Sequence, residues 1–243
     1  MESRLGLCRA IAECVPDFRE LSRVQHSRTE QVTQRVFQIA MGYEDCNDAD
    51  SLRHDPLFKL GCERRPDEAP LSSQPTLSRL ENAVTGKAIR VMLEVLEDAY
   101  VASLPSDTTQ VILDIDSTDD ETHGKQQLSF FHGYYDHHML HPLLVTDGDG
   151  QLVTAILRPG NVHSARGAMG VLERLTRKLR ARFAEVKICV RADSGFCVPR
   201  ILDSLEASNV DYVFGIAKNA RLLESARETM ALAQAAYDER AAK

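Results

Sequence analysis

Three aspartates stand where this chain could do metal chemistry. Asp114 and Asp116 lie in the run QVILDIDS at 110–117, and Asp193 follows the run VKICVRA at 186–192. Side chains alternate along a strand, so Asp114 and Asp116 share one face while Leu113 and Ile115 take the other. Asp193 ends its own strand just before Ser194 and Gly195, where a glycine lets the chain turn sharply out of a sheet. On neighbouring strands these carboxylates converge. Clustered carboxylates raise one another's pKa unless a hard divalent cation or a cationic side chain offsets the charge. Magnesium, with oxygen ligands and positions left for water and phosphate, fits such a cluster, and a two-metal site of this kind serves phosphoryl transfer. Two other readings fit the same spacing. Strand-end aspartates also cap turns or pair with a neighbour such as Arg191, and paired carboxylates act as general acid and base in glycosidases. The glycosidase reading has little behind it, because the chain has no Trp and only 6% aromatic residues to stack on a sugar.

Other groups add less. The cysteines at 8, 14, 46, 62, 189 and 197 form no CxxC pair and no zinc spacing, and read as reduced, mostly buried thiols. His132, His137, His138 and His141 lack a second ligand cluster and read as structural or surface groups. Asp147 and Asp149 in DGDG lack the remaining ligands of a calcium loop and read as turn residues. A net charge of −7 argues against a nucleic-acid partner, but the charge is uneven. Residues 166–191 carry eight basic side chains, whereas 114–121 holds five acids. The basic run fits either a DNA-facing surface or one solvated helix face.

The elements that must position these groups divide in two. With 243 residues and 43% apolar content the chain can build one large core or two ordinary ones. Residues 1–104 read as a helical domain and 105–243 as alternating strands and helices. SRTEQVTQRVFQIAM at 27–41 predicts a helix capped by Ser27, with Glu30 completing a capping box and Val32, Val36, Phe37, Ile39 and Ala40 near one face. An interrupted helical segment around Pro56 follows. Ser73 then caps a helix with Pro75 in its first turn, and a longer helix runs from Lys87 to Val101. This pair has the form of a helix-turn-helix, whose Thr76, Ser78 and Arg79 face could meet phosphates or base edges, although most helix pairs are packing units only. Beyond Pro105 come the strand QVILDID, strands in LSFFHGYY and LHPLLVTDG, and a hairpin through DGDG into QLVTAILRP. Then follow a helix over 164–183 with Met169, Val171, Leu172, Leu175 and Leu179 inward, the strand VKICVRAD, a helix over 196–207, the strand DYVFGIA and a last helix over 222–242. No run of about 18 apolar residues could span a bilayer, and MESRLGLCRAIAECV has no leader features, so a cytoplasmic location with no membrane partner is expected.

Several ordered stretches resemble one family: GYEDCNDADSLRHDPLFK at 42–59, PLSSQPTLSRLEN at 70–82, LDIDSTDDETHGKQQ at 113–127, FFHGYYD at 130–136, LRPGNVHSARGA at 157–168, RADSGF at 191–196 and DYVFGIAKNARL at 211–222. They are similar to the DDE transposases of bacterial insertion sequences, across nearly the whole chain. The resemblance implies an α/β fold: a ribonuclease H-like mixed sheet with flanking helices, incomplete here, preceded by an all-α N-terminal domain. It implies that Asp116 and Asp193 are catalytic, and that Asp116, Asp193 and the neighbouring Asp114 hold Mg2+ or Mn2+. Arg79, Lys87, Lys218, Asn219 and Arg221 are the residues expected to meet DNA, the partners being transposon ends and target DNA. A second copy, as a homodimer or as a full-length transposase, is the expected protein partner. The implied reaction is metal-dependent cleavage at transposon ends followed by strand transfer. The family's third carboxylate, a glutamate with Tyr and Arg upstream of it, has no match. Glu224, Glu228 and Glu239 lack that spacing, so the chain is expected to be a C-terminally truncated, catalytically incomplete transposase. The alternatives are a non-catalytic remnant that binds transposon ends through its helices and the 166–191 surface, and a metal-dependent nuclease using Glu224 or Glu228.

Overall fold

The computed structural model describes residues 6–241, so the first five residues of the N-terminal stretch and Ala242 of the last expected helix lie outside the described residues. In chain order the helices of the first part are α1 (Leu7–Cys14), α2 (Arg28–Ala40), α3 (Ala49–Leu52), α4 (Pro56–Gly61), α5 (Gln74–Ala83) and α6 (Gly86–Ser103). Then come β1 (Gln110–Ser117), β2 (Asp120–Glu121), β3 (Phe130–His132), β4 (His137–Leu140), β5 (Leu143–Asp147), β6 (Leu152–Ile156), α7 (Ala168–Arg182), β7 (Lys187–Ala192), α8 (Pro199–Ala207), β8 (Asp211–Phe214) and α9 (Ala220–Ala241). Hydrogen bonds join the strands into a five-stranded sheet, β6-β5-β1-β7-β8, and a three-stranded one, β2-β4-β3. β1 runs antiparallel to β5 and parallel to β7, and β7 is parallel to β8. The sheet is thus mixed, as expected, with the acidic first strand at its centre.

Two compact units divide the chain: residues 1–108, 151–156 and 177–184 in one, and 109–150, 157–176 and 185–243 in the other. The first is a helical core. Ser27 accepts the Glu30 N–H at 3.1 Å and so starts α2, satisfying one of the orphan donors of a helix N-terminus. Asp55 caps α4 through the N–H groups of Leu57 and Phe58, with Pro56 in the first turn. Cys8, Ala12, Val32, Ala49, Leu77 and Leu80 close the main cluster. The inner face of α2 differs from the expected apolar stripe. Gln31, Val32, Thr33, Gln34 and Gln38 are its buried residues, while Ile39 and Ala40 are exposed. The reason is a partner far along the chain: the Gln34 amide donates to the Ser72 carbonyl at 3.0 Å and accepts its N–H at 2.9 Å, so a backbone segment leaving a turn is satisfied by α2 in place of a strand. Ser73 stands at the start of α5, but its hydroxyl bonds Thr76 Oγ1 and no N–H group.

The second unit holds the sheet's acidic end. β1 alternates as its sequence demands, with Val111, Leu113 and Ile115 buried and Asp114 and Asp116 on the opposite face. LSFFHGYY contributes only the short β3, because Gly133–Asp136 turns the chain back into β4, with Asp136 at a φ of 63°. DGDG closes a tight turn in which Asp147 accepts the Asp149 N–H on its carboxylate and the Gly150 N–H on its carbonyl. The helix expected over 164–183 begins only at Ala168; the preceding segment is pulled into turns by Arg158, whose Nη1 holds the carbonyls of Ser164 and Arg166. All six cysteines are free thiols, three buried and three half-buried. Among the described residues no helix is long and apolar enough to cross a membrane.

Candidate metal centre

The parallel register of β1 and β7 decides how the aspartates sit. Asp114 is level with Arg191 and Ile115 with Ala192. Asp116, on β1, and Asp193, just past β7, each follow that last pair by one residue. Asp114 is taken up by Arg191, whose Nε and Nη2 each bond one carboxylate oxygen at 2.5 Å, a bidentate fork that holds Arg191 above its ordinary pKa. Asp116 and Asp193 are exposed, and each gives one oxygen to a backbone N–H: Asp116 Oδ1 accepts from Ser117 at 2.7 Å, and Asp193 Oδ1 from Gly195 at 2.9 Å. The second oxygen of each has no hydrogen-bond partner among the described residues.

Two glycines shape the turn that carries Asp193. Gly215, just past β8, donates to the Ala192 carbonyl at 2.9 Å and lies flat on the Asp193–Ser194 backbone, where a β-carbon would approach Ser194 N to 3.1 Å. A β-carbon on Gly195 would lie 3.1 Å from Asp193 Oδ1 and 3.1 Å from Ser164 Cβ. The hydroxyl of Tyr135, in the β3–β4 turn, lies within electrostatic reach of both aspartates. Burial raises its pKa, and so do the carboxylates of Asp119, Asp116 and, less strongly, Asp193. Around Tyr135 stand three histidine rings, His132, His137 and His141, with centroids 5.2 to 6.0 Å from its own. His141 is buried, its Nδ1 donates to the Val162 carbonyl at 2.9 Å, and burial lowers its pKa. His137 Nε2 lies 3.2 Å from Asp119 Oδ2, at an angle that makes no hydrogen bond.

The donors present suit a divalent ion in part. Two hard carboxylates with outward oxygens are the protein share with which Mg2+ is commonly held, waters and phosphate oxygens completing the shell. Among the described residues no three His, Cys, Asp or Glu side chains group to hold a metal ion. Glu224, the first of the late glutamates, is ion-paired with Arg227 along α9.

The full sequence, residues 1–243, matches the family described as transposase DDE domain group 1. The chain belongs to this family. Comparison with curated proteins yields no match. Among solved structures, the piggyBac transposase synaptic complex with hairpin DNA is similar at 12% identity with a TM-score of 0.44, over 89% of this chain and 52% of that one. The Mos1 transposase paired-end complex with left transposon end is similar at 14% identity with a TM-score of 0.29, over 81% and 61%. The Drosophila P element transposase strand transfer complex follows at 12% and 0.34, over 74% and 44%. The chain thus spans about half the length of these structures.

Membership of the DDE transposases implies use of a divalent metal ion. The residues expected to meet DNA are all exposed: Arg79 on α5 and Lys87 on α6 in the helical unit, and Lys218, Asn219 and Arg221 in the sheet unit, the last three within six residues of Gly215. Asn219 Oδ1 also caps α9 through the Leu222 N–H. Arg79 opens on a cleft of about 630 Å³ that Arg19, Arg23, Arg28 and Thr76 also line, a cluster hidden in the sequence because the other arginines lie far before the expected recognition helix, Arg28 being 46 residues ahead of Gln74. In the basic run, Lys178 pairs with Asp98 and Arg182 donates to the Leu104 carbonyl, so these two side chains serve the helical unit.

Proposed function

We propose that this chain carries out, or contributes to, DNA transposition, and that Asp116 and Asp193 are its metal-holding pair. The observation that supports this reading is their place one residue beyond Ile115 and Ala192, the last paired residues of the adjacent strands β1 and β7, each exposed and with one oxygen bonded by a backbone N–H, in a chain of the DDE family. Asp114 is not the ligand in this reading, because both its oxygens are committed to Arg191. Mg2+ or Mn2+ bound there supplies Lewis acidity toward a scissile phosphate. The protein's own part is to fix the two carboxylates at strand ends, while exposed Lys218, Asn219 and Arg221 steady the DNA backbone beside them. Arg79 and Lys87 take the transposon end by contact with its phosphates. A second copy of the chain is the natural partner for a second end.

A second reading, a binding protein without cleavage, is favoured by the absence of a third carboxylate beside Asp116 and Asp193 among the described residues. One experiment separates them. Mn2+ titration of the 243-residue chain, followed by electron paramagnetic resonance, should show binding that Asp116→Ala and Asp193→Ala each weaken by more than the about 10- to 100-fold typical of losing a mere supporting residue, while Asp114→Ala changes it less. Unchanged affinity in Asp193→Ala sinks the metal-pair reading. Duplex carrying a transposon end, bound with a steep salt dependence yet never nicked with Mn2+ present, establishes the non-catalytic reading.

A further inference from the structure

Arg158 follows β6 in the stretch LRPGN, and the residue is only 6% exposed. A buried charge is costly unless paired, yet no carboxylate is among its contacts. Its N–H groups go to carbonyls: Nε to His141 at 2.7 Å, Nη1 to Ser164 and Arg166 at 2.8 Å each, and Nη2 to Pro142 at 3.5 Å. Burial, helped by Arg166, brings its pKa down to about 10.

Those carbonyls lead to both aspartates. The Pro142 carbonyl also accepts the Thr118 N–H at 3.2 Å, two residues beyond Asp116. Ser164 walls the other turn: a β-carbon on Gly195 would meet Ser164 Cβ at 3.1 Å and Oγ at 3.2 Å. The segment between is tightly seated as well. Gly160 donates to the Leu128 carbonyl at 3.1 Å, and Pro159 bridges to Leu140. One cation therefore ties the loop behind Asp116 to the loop beside Asp193.

We infer that Arg158 is a positioning residue, a strut whose forked guanidinium sets the separation of Asp116 and Asp193 by holding the Pro142 and Ser164 carbonyls together. This rests on the metal-pair reading for its purpose, but not for its geometry. An apolar side chain would fill the same space with less desolvation, but it could not bind carbonyls of two loops at once. Lysine keeps the charge and still fails as a substitute, because three N–H groups on one nitrogen cannot span the fork.

The test is residue-resolved amide hydrogen exchange on the metal-free 243-residue chain, with Mn2+ affinity measured alongside. Arg158→Lys should speed exchange at Thr118 and Gly195 by about tenfold or more while Leu113 and Val190, inside β1 and β7, stay unchanged, and should weaken Mn2+ binding by about 10- to 100-fold, as loss of an outer-shell partner does. A folded Arg158→Lys chain with unchanged Thr118 and Gly195 rates overturns the strut. So does a uniform rise that includes Leu113 and Val190, which is a general loss of stability. Ser164→Gly, which leaves every guanidinium bond in place, covers the case in which Arg158→Lys does not fold. It should speed Gly195 and leave Thr118 unchanged, and an unaltered Gly195 rate refutes the inference. A parent chain that binds no Mn2+ overturns the metal-pair reading alone, and the exchange rates then decide the strut by themselves.

Discussion

Acids of the helical unit and acids at the end of the sheet are treated in opposite ways. Glu30 on α2 is largely enclosed, with one oxygen 2.6 Å from His26 Nδ1 and the other bonded by Arg64 at 2.8 and 3.0 Å. Asp17 accepts a bidentate fork from Arg19 and a further bond from Arg28. Glu81 takes Arg35. On β1 and after β7, Asp116 and Asp193 receive one backbone N–H each and no cation, while Asp114, two residues from Asp116 on the same face, is fully paired. An acid with its cations already in place holds architecture. An exposed acid with one oxygen held by backbone and the other without a partner keeps capacity for an outside ligand, which is what the proposed metal pair would use.

Three measurements can break or sharpen this contrast. The largest effect belongs to Glu30→Gln, which removes the only carboxylate that Arg64 pairs with among the described residues and should cost the helical unit about 2–3 kcal/mol, whereas Asp116→Asn should stay within about 0.5 kcal/mol of the parent. Denaturant melts that rank the two the other way would erase the distinction. A smaller effect is the Tyr135 phenol, which the sheet-end carboxylates push upward. Asp116→Asn should bring its titration down, Asp193→Asn less so, and Glu30→Gln not at all, as read by carbon-13 tyrosine resonances; an unmoved Tyr135 in both aspartate variants means the two do not face one site. The smallest is the pH response of Asp17. Arg19 holds this carboxyl well below the usual carboxylate range, against an opposing contribution from burial. A depressed folded-state pKa contributes stability that is present above the unfolded value, near 4, and fades as pH falls through the folded value. Asp17→Asn should therefore be less stable than the parent at pH 5, and the gap should narrow toward pH 2; a gap independent of pH would show that the Arg19 fork adds nothing.

Much of the fold was legible because it is written in short-range pattern. Alternation in QVILDIDS places Asp114 and Asp116 on the face away from Leu113 and Ile115, and Ser27 with Glu30 marks the start of α2. The misread inner face of α2 shows the limit of periodicity. Gln34 is buried and Ile39 exposed because the Ser72 backbone, 38 residues away, needed an amide partner, and no local rule encodes that need. Arg158 escaped for a similar reason, since an arginine next to Pro-Gly looks like a loop residue until the carbonyls of His141 and Ser164 are seen around it.

By itself, then, the sequence determined which residues could be ligands, which strands carry them and which way they face, since these follow from side-chain alternation and chain turns within a few residues. Only the tertiary structure decided the division of labour among them. The register of β1 against β7, joining residues 77 positions apart, gives Arg191 to Asp114 and ends at Ile115 and Ala192, one residue before Asp116 and Asp193. A shift of one residue would place each of these side chains on the wrong face, and that choice is made by packing of the whole sheet.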